Sequence, residues 1–120
     1  MNSPEYVSIN IAPSAALWYT EMTTKDKNER VFKTAWFSKA AKKADISDKA
    51  LSKAILQVMQ RKAEDLGGGV FKKRLKENSH RSIIIAKGGK YWIYTYLFAK
   101  KDRSNIDADE LKEFKKAANL

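Results

Sequence analysis

The chain has 120 residues, 43% hydrophobic and 32% charged, an ordinary composition for one globular domain with a single modest core. It has no cysteine, which excludes disulfides, thiolate zinc sites and cysteine nucleophiles and fits a reducing cytoplasm. The net charge of +10 is uneven, because residues 1–29 sum to −2 and residues 30–120 to +12. A polyanionic partner should therefore bind the second part, and no run approaches the roughly 20 apolar residues of a membrane-spanning helix.

Residues 1–29 are predicted to form an irregular or mobile extension, and residues 30–120 the folded domain. The stretch MNSPEYVSINIAPSAALWYTEM has no sustained helical or strand periodicity, and TTKDKNER is polar throughout. The first charged residue is the acidic Glu5, so the basic start of a secretory signal is missing.

The predicted elements begin with a short strand, RVFKT, followed by a helix with an apolar side made of Trp36, Phe37, Ala40, Ala41 and Ala44. A second helix is expected to start at Ser47, whose hydroxyl can cap it, with Ile46 and Leu51 as a hydrophobic staple. The three glycines at 67–69 are predicted to end this helix.

Three segments have strand character: 70–76, 81–87 and 90–99. KGGK at 87–90 predicts a hairpin turn, and the bulky YWIYTYLFA predicts a central strand. A last helix is expected over 107–118, capped by Asp107 and Glu110. The order β-α-α-β-β-β-α predicts an α+β fold, a small antiparallel sheet with two N-terminal helices and a C-terminal helix packed on it.

The segment FKKRLKENSHR, residues 71–81, holds five Lys or Arg and the only histidine of the chain. A turn at Glu77 and Asn78 would place Arg74 opposite Arg81, Leu75 opposite His80 and Lys72 opposite Ile83. Alternation then predicts one face with Lys72, Arg74, Lys76 and Arg81, and the other with Phe71, Leu75 and Lys73. Two facing arginines repel each other, and a bound phosphate would reverse that penalty. The alternative is that the lysines only protect a strand edge from aggregation.

His80 is a candidate general acid or base, because histidine alone has an unperturbed pKa near neutrality. In a regular strand, however, it points away from Arg81, and a lysine within the cationic cluster is a competing candidate.

After the third strand, FAKKDRSN adds further basic residues, and with one lysine of the preceding cluster they are candidates for RNA or ribosome binding: Lys76, Lys100, Lys101 and Arg103. The aromatic residues of 91–98 are candidates for base stacking, although at least half must belong to the core. GGGVFKK lacks the spacing of a nucleotide-binding loop, and one histidine with scattered carboxylates gives no metal site, so we expect neither cofactor nor metal.

Together these segments resemble the RelE-like toxins of bacterial type II toxin–antitoxin systems, the group that includes HigB and ParE. The resemblance lies in RVFKTAWFSKAAKKADIS, DLGGGVFKKRL, HRSII and FAKKDRSNIDADEL, and covers about residues 30–118. It implies a RelE-like fold and a cytoplasmic mRNA interferase that arrests growth by cleaving mRNA in the A site of the 70S ribosome. The 2′-hydroxyl would attack the neighbouring phosphate without a metal. It also implies an antitoxin, often a helix-turn-helix protein, through which the complex binds operator DNA.

By position, Lys72 and Arg74 match the basic pair of the family's second strand, and Arg81 matches the arginine that holds the scissile phosphate. Lys101 and Arg103 match the basic pair before the last helix. Where RelE has a catalytic tyrosine after this pair, Asp107 stands instead. HigB-like relatives use histidines and acids, which adds to the case for His80.

Two other readings stay open. A ParE-like chain would inhibit DNA gyrase without catalysis, although ParE-like toxins lack much of the basic cluster present here. A plain RNA-binding module would show steeply salt-dependent binding and no cleaved product.

Overall fold

The computed structural model describes residues 19–22 and 29–119. Its strands and helices, in chain order, are β1 (Tyr19–Met22), β2 (Arg30–Thr34), α1 (Ala35–Lys43), α2 (Asp48–Met59), β3 (Glu64–Gly67), β4 (Val70–Leu75), β5 (His80–Lys87), β6 (Tyr91–Ala99) and α3 (Ala108–Asn119). The α+β class predicted from the sequence is confirmed.

The described strands form one six-stranded sheet in the order β1-β2-β6-β5-β4-β3. β6 lies near the middle, as its bulky sequence predicts. The expectation of a wholly antiparallel sheet is wrong in one pairing, because β2 and β6 run parallel. These two strands are joined by the long connection through both N-terminal helices and three strands, so no hairpin forces them to run in opposite directions.

Helices cover both faces of the sheet. α1 and α2 pack on one face, where Phe37, Leu51 and Ile55 meet Ile84 and Tyr94 in a buried cluster. The Tyr94 hydroxyl donates to the carbonyl of Leu51 at 2.7 Å, and burial raises the pKa of this phenol. α3 packs on the opposite face. There Phe114 is fully buried against strand side chains that point to this face: Val70, Ile83, Ile85 and Ile93. The two faces are called the α1 face and the α3 face below.

The predicted capping residues of α2 and α3 bind the first amides of these helices. Ser47 Oγ accepts from the Ala50 amide at 3.2 Å. Asp107 Oδ1 accepts from the Glu110 amide, and Glu110 Oε1 accepts from the Asp107 amide, both at 2.8 Å. The latter pair is a reciprocal capping box at the start of α3.

Two segments differ from the sequence predictions. The glycines at 67–69 do not end α2, which stops at Met59; they turn β3 into β4, and all three have positive φ as a tight turn requires. Within the predicted irregular extension, residues 19–22 form β1, paired antiparallel with β2. Residues 1–18 and 23–28 lie outside the described part, so the boundary at residue 30 stays a prediction.

Candidate functional site

Three basic residues share the α3 face at one end of the sheet: Lys72, Arg74 and Arg81. The β4–β5 register pairs Arg74 with Arg81 and Lys72 with Ile83, as predicted from the turn at Glu77 and Asn78. Lys72 and Arg74 alternate with Val70 of the α3-side core, whereas Phe71 and Leu75 belong to the α1-side core. The predicted grouping of these three cations on one face is confirmed, and we call them the strand cluster.

The three side chains of the strand cluster differ in the hydrogen bonds and ion pairs that hold them in place. Arg81 donates from one guanidinium nitrogen to the carbonyls of Asn78 at 2.9 Å and of His80 at 3.1 Å, which fixes it against the turn. Lys72 Nζ donates to Asn105 Oδ1 at 3.1 Å and lies 3.3 Å from a carboxylate oxygen of Glu64.

Arg74 is exposed, and among the described residues no carboxylate pairs with it. Its cross-strand neighbour Arg81 carries the same charge. A facing pair of like charges destabilises a sheet unless an anion lies between them, so this pair is the most favourable place on the α3 face for a phosphate.

Two lysines near the strand cluster, Lys73 and Lys76, do not lie on the α3 face. Lys76 was predicted to share the face of Arg74, and this is wrong: it lies past the end of β4 with φ of 50°, and its Nζ donates to the carbonyl of Ala44 at the end of α1. Lys73 points to the α1 face, where its Nζ donates to the Lys62 carbonyl at 3.2 Å. Burial, then the charges of Arg74 and Lys62, lower the pKa of Lys73. Neither lysine belongs to the strand cluster.

A groove of about 710 Å³ lies between α1 and the last residues of β6, and we call it the α1 groove. β2 pairs with β6 only as far as Tyr94, so beyond Tyr94 one edge of β6 borders this groove, while the other edge stays paired with β5 as far as Ala99. Its lining includes cations and two aromatic rings: Lys39, Lys43, His80, Lys101, Trp36 and Tyr96. The two rings stack with centroids 4.9 Å apart.

His80 therefore lies apart from the strand cluster. It pairs with Leu75, on the α1 face, and lines the groove, whereas Arg81 lies on the α3 face. Burial is the largest cause that lowers its pKa; Lys76 and Lys101 lower it further, and Asp102 opposes them. The predicted set of Lys72, Arg74, Arg81 and His80 is thus split between two faces of the sheet.

The β6–α3 loop contributes one internal and two accessible cations. Arg103 donates to both carboxylate oxygens of Glu110, at 3.0 and 2.5 Å, and to the Tyr96 hydroxyl at 3.2 Å. These bonds raise the pKa of Arg103, so this guanidinium is a structural part of the loop. Lys100 and Lys101 are exposed, and only Lys101 lines the groove.

Sequence reasoning missed the α1 groove and the stacking of Trp36 on Tyr96. Trp36 was assigned to the apolar side of a helix, and Tyr96 was one of several stacking candidates along β6. The signal available in the sequence was the shortness of RVFKT beside the much longer YWIYTYLFA, which leaves one edge of β6 unpaired beyond Tyr94.

Asp107, at the position of the family tyrosine, is the helix cap described above. Among the described residues, no hydrogen bond or ion pair joins it to the strand cluster. Within residues 19–22 and 29–119, no three His, Asp or Glu side chains group together as metal ligands. No helix in those ranges is long and apolar enough to cross a membrane.

The family to which the chain belongs follows from one comparison. A model of the RelE toxin of the RelE/RelB toxin–antitoxin system matches residues 29–120. No curated protein and no solved structure matches the chain significantly. The family match covers more than half of the chain and includes the strand cluster, the α1 groove and α3. The chain therefore belongs to the RelE toxin family: it is a toxin of a toxin–antitoxin system, with a cognate antitoxin as its partner.

Proposed function

We propose that this toxin is a ribosome-dependent mRNA endoribonuclease that works in the cytoplasm and inhibits translation. The observation that carries the proposal is the strand cluster, in which Arg74 faces Arg81 across two paired strands with Lys72 on the same side. The antiparallel register holds two like charges together without a carboxylate between them. A phosphodiester is the ligand that relieves their repulsion.

The reaction needs little more than charge stabilisation and orientation. The ribose 2′-oxygen forms a bond to the neighbouring phosphorus, and the bond from phosphorus to the 5′-oxygen of the next nucleotide breaks. The products are a 2′,3′-cyclic phosphate and a 5′-hydroxyl; the 2′-hydroxyl loses its proton and the leaving 5′-oxygen gains one. Arg81 and Arg74 would donate to the phosphate oxygens as negative charge builds on them, and Lys72 would add a further positive charge.

Arg81 suits the central role because the turn already orients it. Its bonds to the carbonyls of Asn78 and His80 use one guanidinium nitrogen and leave donors of the other for a phosphate. Arg74 lacks such anchors and would close onto the phosphate from the neighbouring strand. His80 is left out of this catalytic set, since it lies on the α1 face.

Of the remaining basic residues, some are free to contact RNA and others are bound to the protein itself. Lys100 and Lys101 are exposed next to the β4–β5 turn, where the Lys100 amide donates to the Ser79 carbonyl at 2.9 Å, and we assign them to the ribosome or mRNA backbone. Lys76 binds the Ala44 carbonyl and Arg103 pairs with Glu110, so neither side chain is part of the proposed RNA contact. The antitoxin would cover the strand cluster, and operator DNA would be bound through a helix-turn-helix domain of the antitoxin.

The test is induced expression followed by mapping of mRNA 5′ ends. Wild type is expected to arrest growth and to generate new 5′ ends in translated messages only. Arg81→Ala should lower cleavage about 100-fold or more, the usual cost of losing one donor to a transition-state oxyanion. Lys90→Ala is the matched control, since this exposed lysine lies in the turn at the opposite end of β5, and it should cleave like wild type.

The same experiment separates the other readings. DNA damage with intact mRNA would contradict the proposal and favour gyrase inhibition. Growth arrest that survives Arg81→Ala would remove the strand cluster from the mechanism.

A further inference from the structure

Lys72 is the member of the strand cluster whose ammonium lies between two acceptors from different parts of the chain. Its Nζ donates to Asn105 Oδ1 at 3.1 Å and lies 3.3 Å from a carboxylate oxygen of Glu64. The Lys72 side chain is only 13% exposed, whereas that of Glu64 is 59% exposed. Asn105 belongs to the loop between β6 and α3, so the fold brings a residue 33 positions away in the sequence to the strand cluster.

The neighbours of Asn105 determine which way its side-chain amide points. Oδ1 accepts from the Ile106 amide at 2.9 Å as well as from the Lys72 ammonium, and Ile106 is buried. Both neighbours are donors, so the oxygen of the amide must face them, because the NH2 end cannot accept a hydrogen bond. The backbone of Asn105 is also held, since its carbonyl accepts from Arg103 Nε at 2.9 Å.

Arg103 is fixed in turn by the start of α3. It donates to both carboxylate oxygens of Glu110, and Glu110 also accepts from the Asp107 amide in the capping box. A continuous series of hydrogen bonds therefore runs from the capping box of α3 through Arg103 and Asn105 to the ammonium of Lys72. This series places an acceptor at the strand cluster before any ligand binds.

The two acceptors of Lys72 have different consequences for a phosphate. Glu64 lies on β3 at the edge of the sheet, and its negative charge competes with a phosphate for the ammonium. Asn105 is neutral and follows β6, which lies on the other side of β4 in the sheet order. An ammonium has three N–H donors, so with one directed at each acceptor a third remains for a phosphate oxygen. Asn105 thus orients Lys72 without neutralising it.

We infer that Asn105 is a positioning residue of the strand cluster: it holds the Lys72 ammonium so that its remaining donor meets the phosphate bound by the two facing arginines. The inference rests on the proposed function in taking the scissile phosphate as the ligand. Without Asn105, Glu64 is the remaining acceptor, and it draws the ammonium toward the sheet edge and partly neutralises it. A displacement of about 1 Å is enough to remove much of the effect of a positioned catalytic group.

The experiment measures cleavage of a defined mRNA on purified ribosomes by the purified chain. The toxin is in excess over the ribosome complexes, so that a maximal rate and a half-saturating toxin concentration are obtained. Asn105→Ala should lower the maximal rate about tenfold and change the half-saturating concentration by less than about twofold, because the oriented ammonium acts on charge that develops in the transition state.

Asn119→Ala is the matched control for this substitution. The Asn119 side chain also binds the protein itself, donating to the carbonyls of Gly68 and Lys115, but it lies at the opposite end of α3. This variant should cleave like wild type.

Lys72→Met separates positioning from a structural role of the loop. Alone it should lower the maximal rate about 100-fold, the usual cost of losing one donor to a transition-state oxyanion. Asn105→Ala added to Lys72→Met should cause no further fall, because both substitutions act through the same ammonium. If Asn105 only stabilised the loop, its removal would lower the rate in both backgrounds.

Glu64→Gln tests which of the two acceptors positions the ammonium. It should raise the cleavage rate at subsaturating toxin concentration by about twofold, because it removes a negative charge that competes with the phosphate. A fall of about tenfold in this variant would make Glu64 the positioning residue and overturn the inference.

Two further results would overturn it: a wild-type maximal rate in Asn105→Ala, or a further fall when Asn105→Ala is added to Lys72→Met. Either result, with mRNA still cleaved by the wild type, would leave the proposed function standing. A wild type that cleaves no mRNA on ribosomes would remove the proposed function itself, and the inference with it.

Discussion

The strand cluster and the α1 groove are both basic, lie at the same end of one sheet and differ in how their charges are used. In the strand cluster, the sheet register opposes Arg74 and Arg81, and Arg74 has no carboxylate partner in the described chain. In the groove, Lys76 and Arg103 are bound to the protein itself. Counting Lys and Arg along the sequence therefore overstates the charge that either site offers to a ligand, since Lys72 of the strand cluster is itself paired with Glu64.

The difference also concerns stability. Cations that bind carbonyls or carboxylates of their own chain stabilise the fold, whereas facing cations destabilise it until a ligand arrives. Substitutions at the two sites should thus have opposite effects on the free energy of unfolding. Three substitutions test this, and a fourth measurement tests the lowered pKa of His80.

The largest effect on stability is expected from Glu110→Ala. This side chain is 7% exposed, binds Arg103 with both oxygens and caps α3 through the Asp107 amide. Removing it leaves a partly buried guanidinium without its partner, so unfolding in urea should become easier by about 2 to 4 kcal/mol. Glu113→Ala is the control, because the exposed Glu113 pairs with Lys116 at 3.7 Å and should contribute less than about 0.5 kcal/mol. Equal losses in both variants would mean that Arg103 is not structural.

Lys76→Met should cause the next largest loss in the free energy of unfolding. It keeps the aliphatic stem and removes the ammonium that binds the Ala44 carbonyl, which ties the β4–β5 turn to the end of α1. The expected loss is about 0.5 to 1.5 kcal/mol in urea denaturation, the net value of one hydrogen bond. A loss of RNA binding with unchanged stability would instead return Lys76 to the ligand site.

Arg74→Ala should act in the opposite direction. It removes the repulsion across the β4–β5 pair, so the free energy of unfolding should rise by a few tenths of a kcal/mol. mRNA cleavage in cells should fall at the same time, since the phosphate loses one of its two guanidinium donors. The control is Lys90→Ala, which should change neither quantity. A destabilised Arg74→Ala would show that Arg74 is not strained by Arg81.

The smallest effect is a pH dependence from His80. Its folded-state pKa is lowered below the unfolded value, mainly by burial. The unfolded chain therefore binds the proton more readily, and the stability linked to His80 is complete above the unfolded pKa and is lost as pH falls through the folded pKa. Urea denaturation of wild type and His80→Asn from neutral to mildly acidic pH measures it. The wild type should lose stability more steeply, and identical slopes would contradict a lowered pKa.

Local sequence determined much of the fold. The capping residues Ser47 and Asp107 placed the starts of α2 and α3, and the turn at Glu77 and Asn78 set the β4–β5 register that pairs Arg74 with Arg81. These features depend on hydrogen bonds and turns among residues a few positions apart, which a sequence shows directly. The strand cluster was therefore predictable by residue number.

Tertiary structure alone decided the features that join distant segments. The parallel pairing of β2 with β6 ends at Tyr94 and opens the α1 groove beside Tyr96. Lys76 does not join the strand cluster, because its ammonium binds the Ala44 carbonyl at the end of α1. The three glycines predicted to end α2 form the turn of the β3–β4 hairpin instead. Each depends on which surfaces meet after the chain has folded, because packing against a remote partner outweighs the weak local preference of a lysine or a glycine for one conformation.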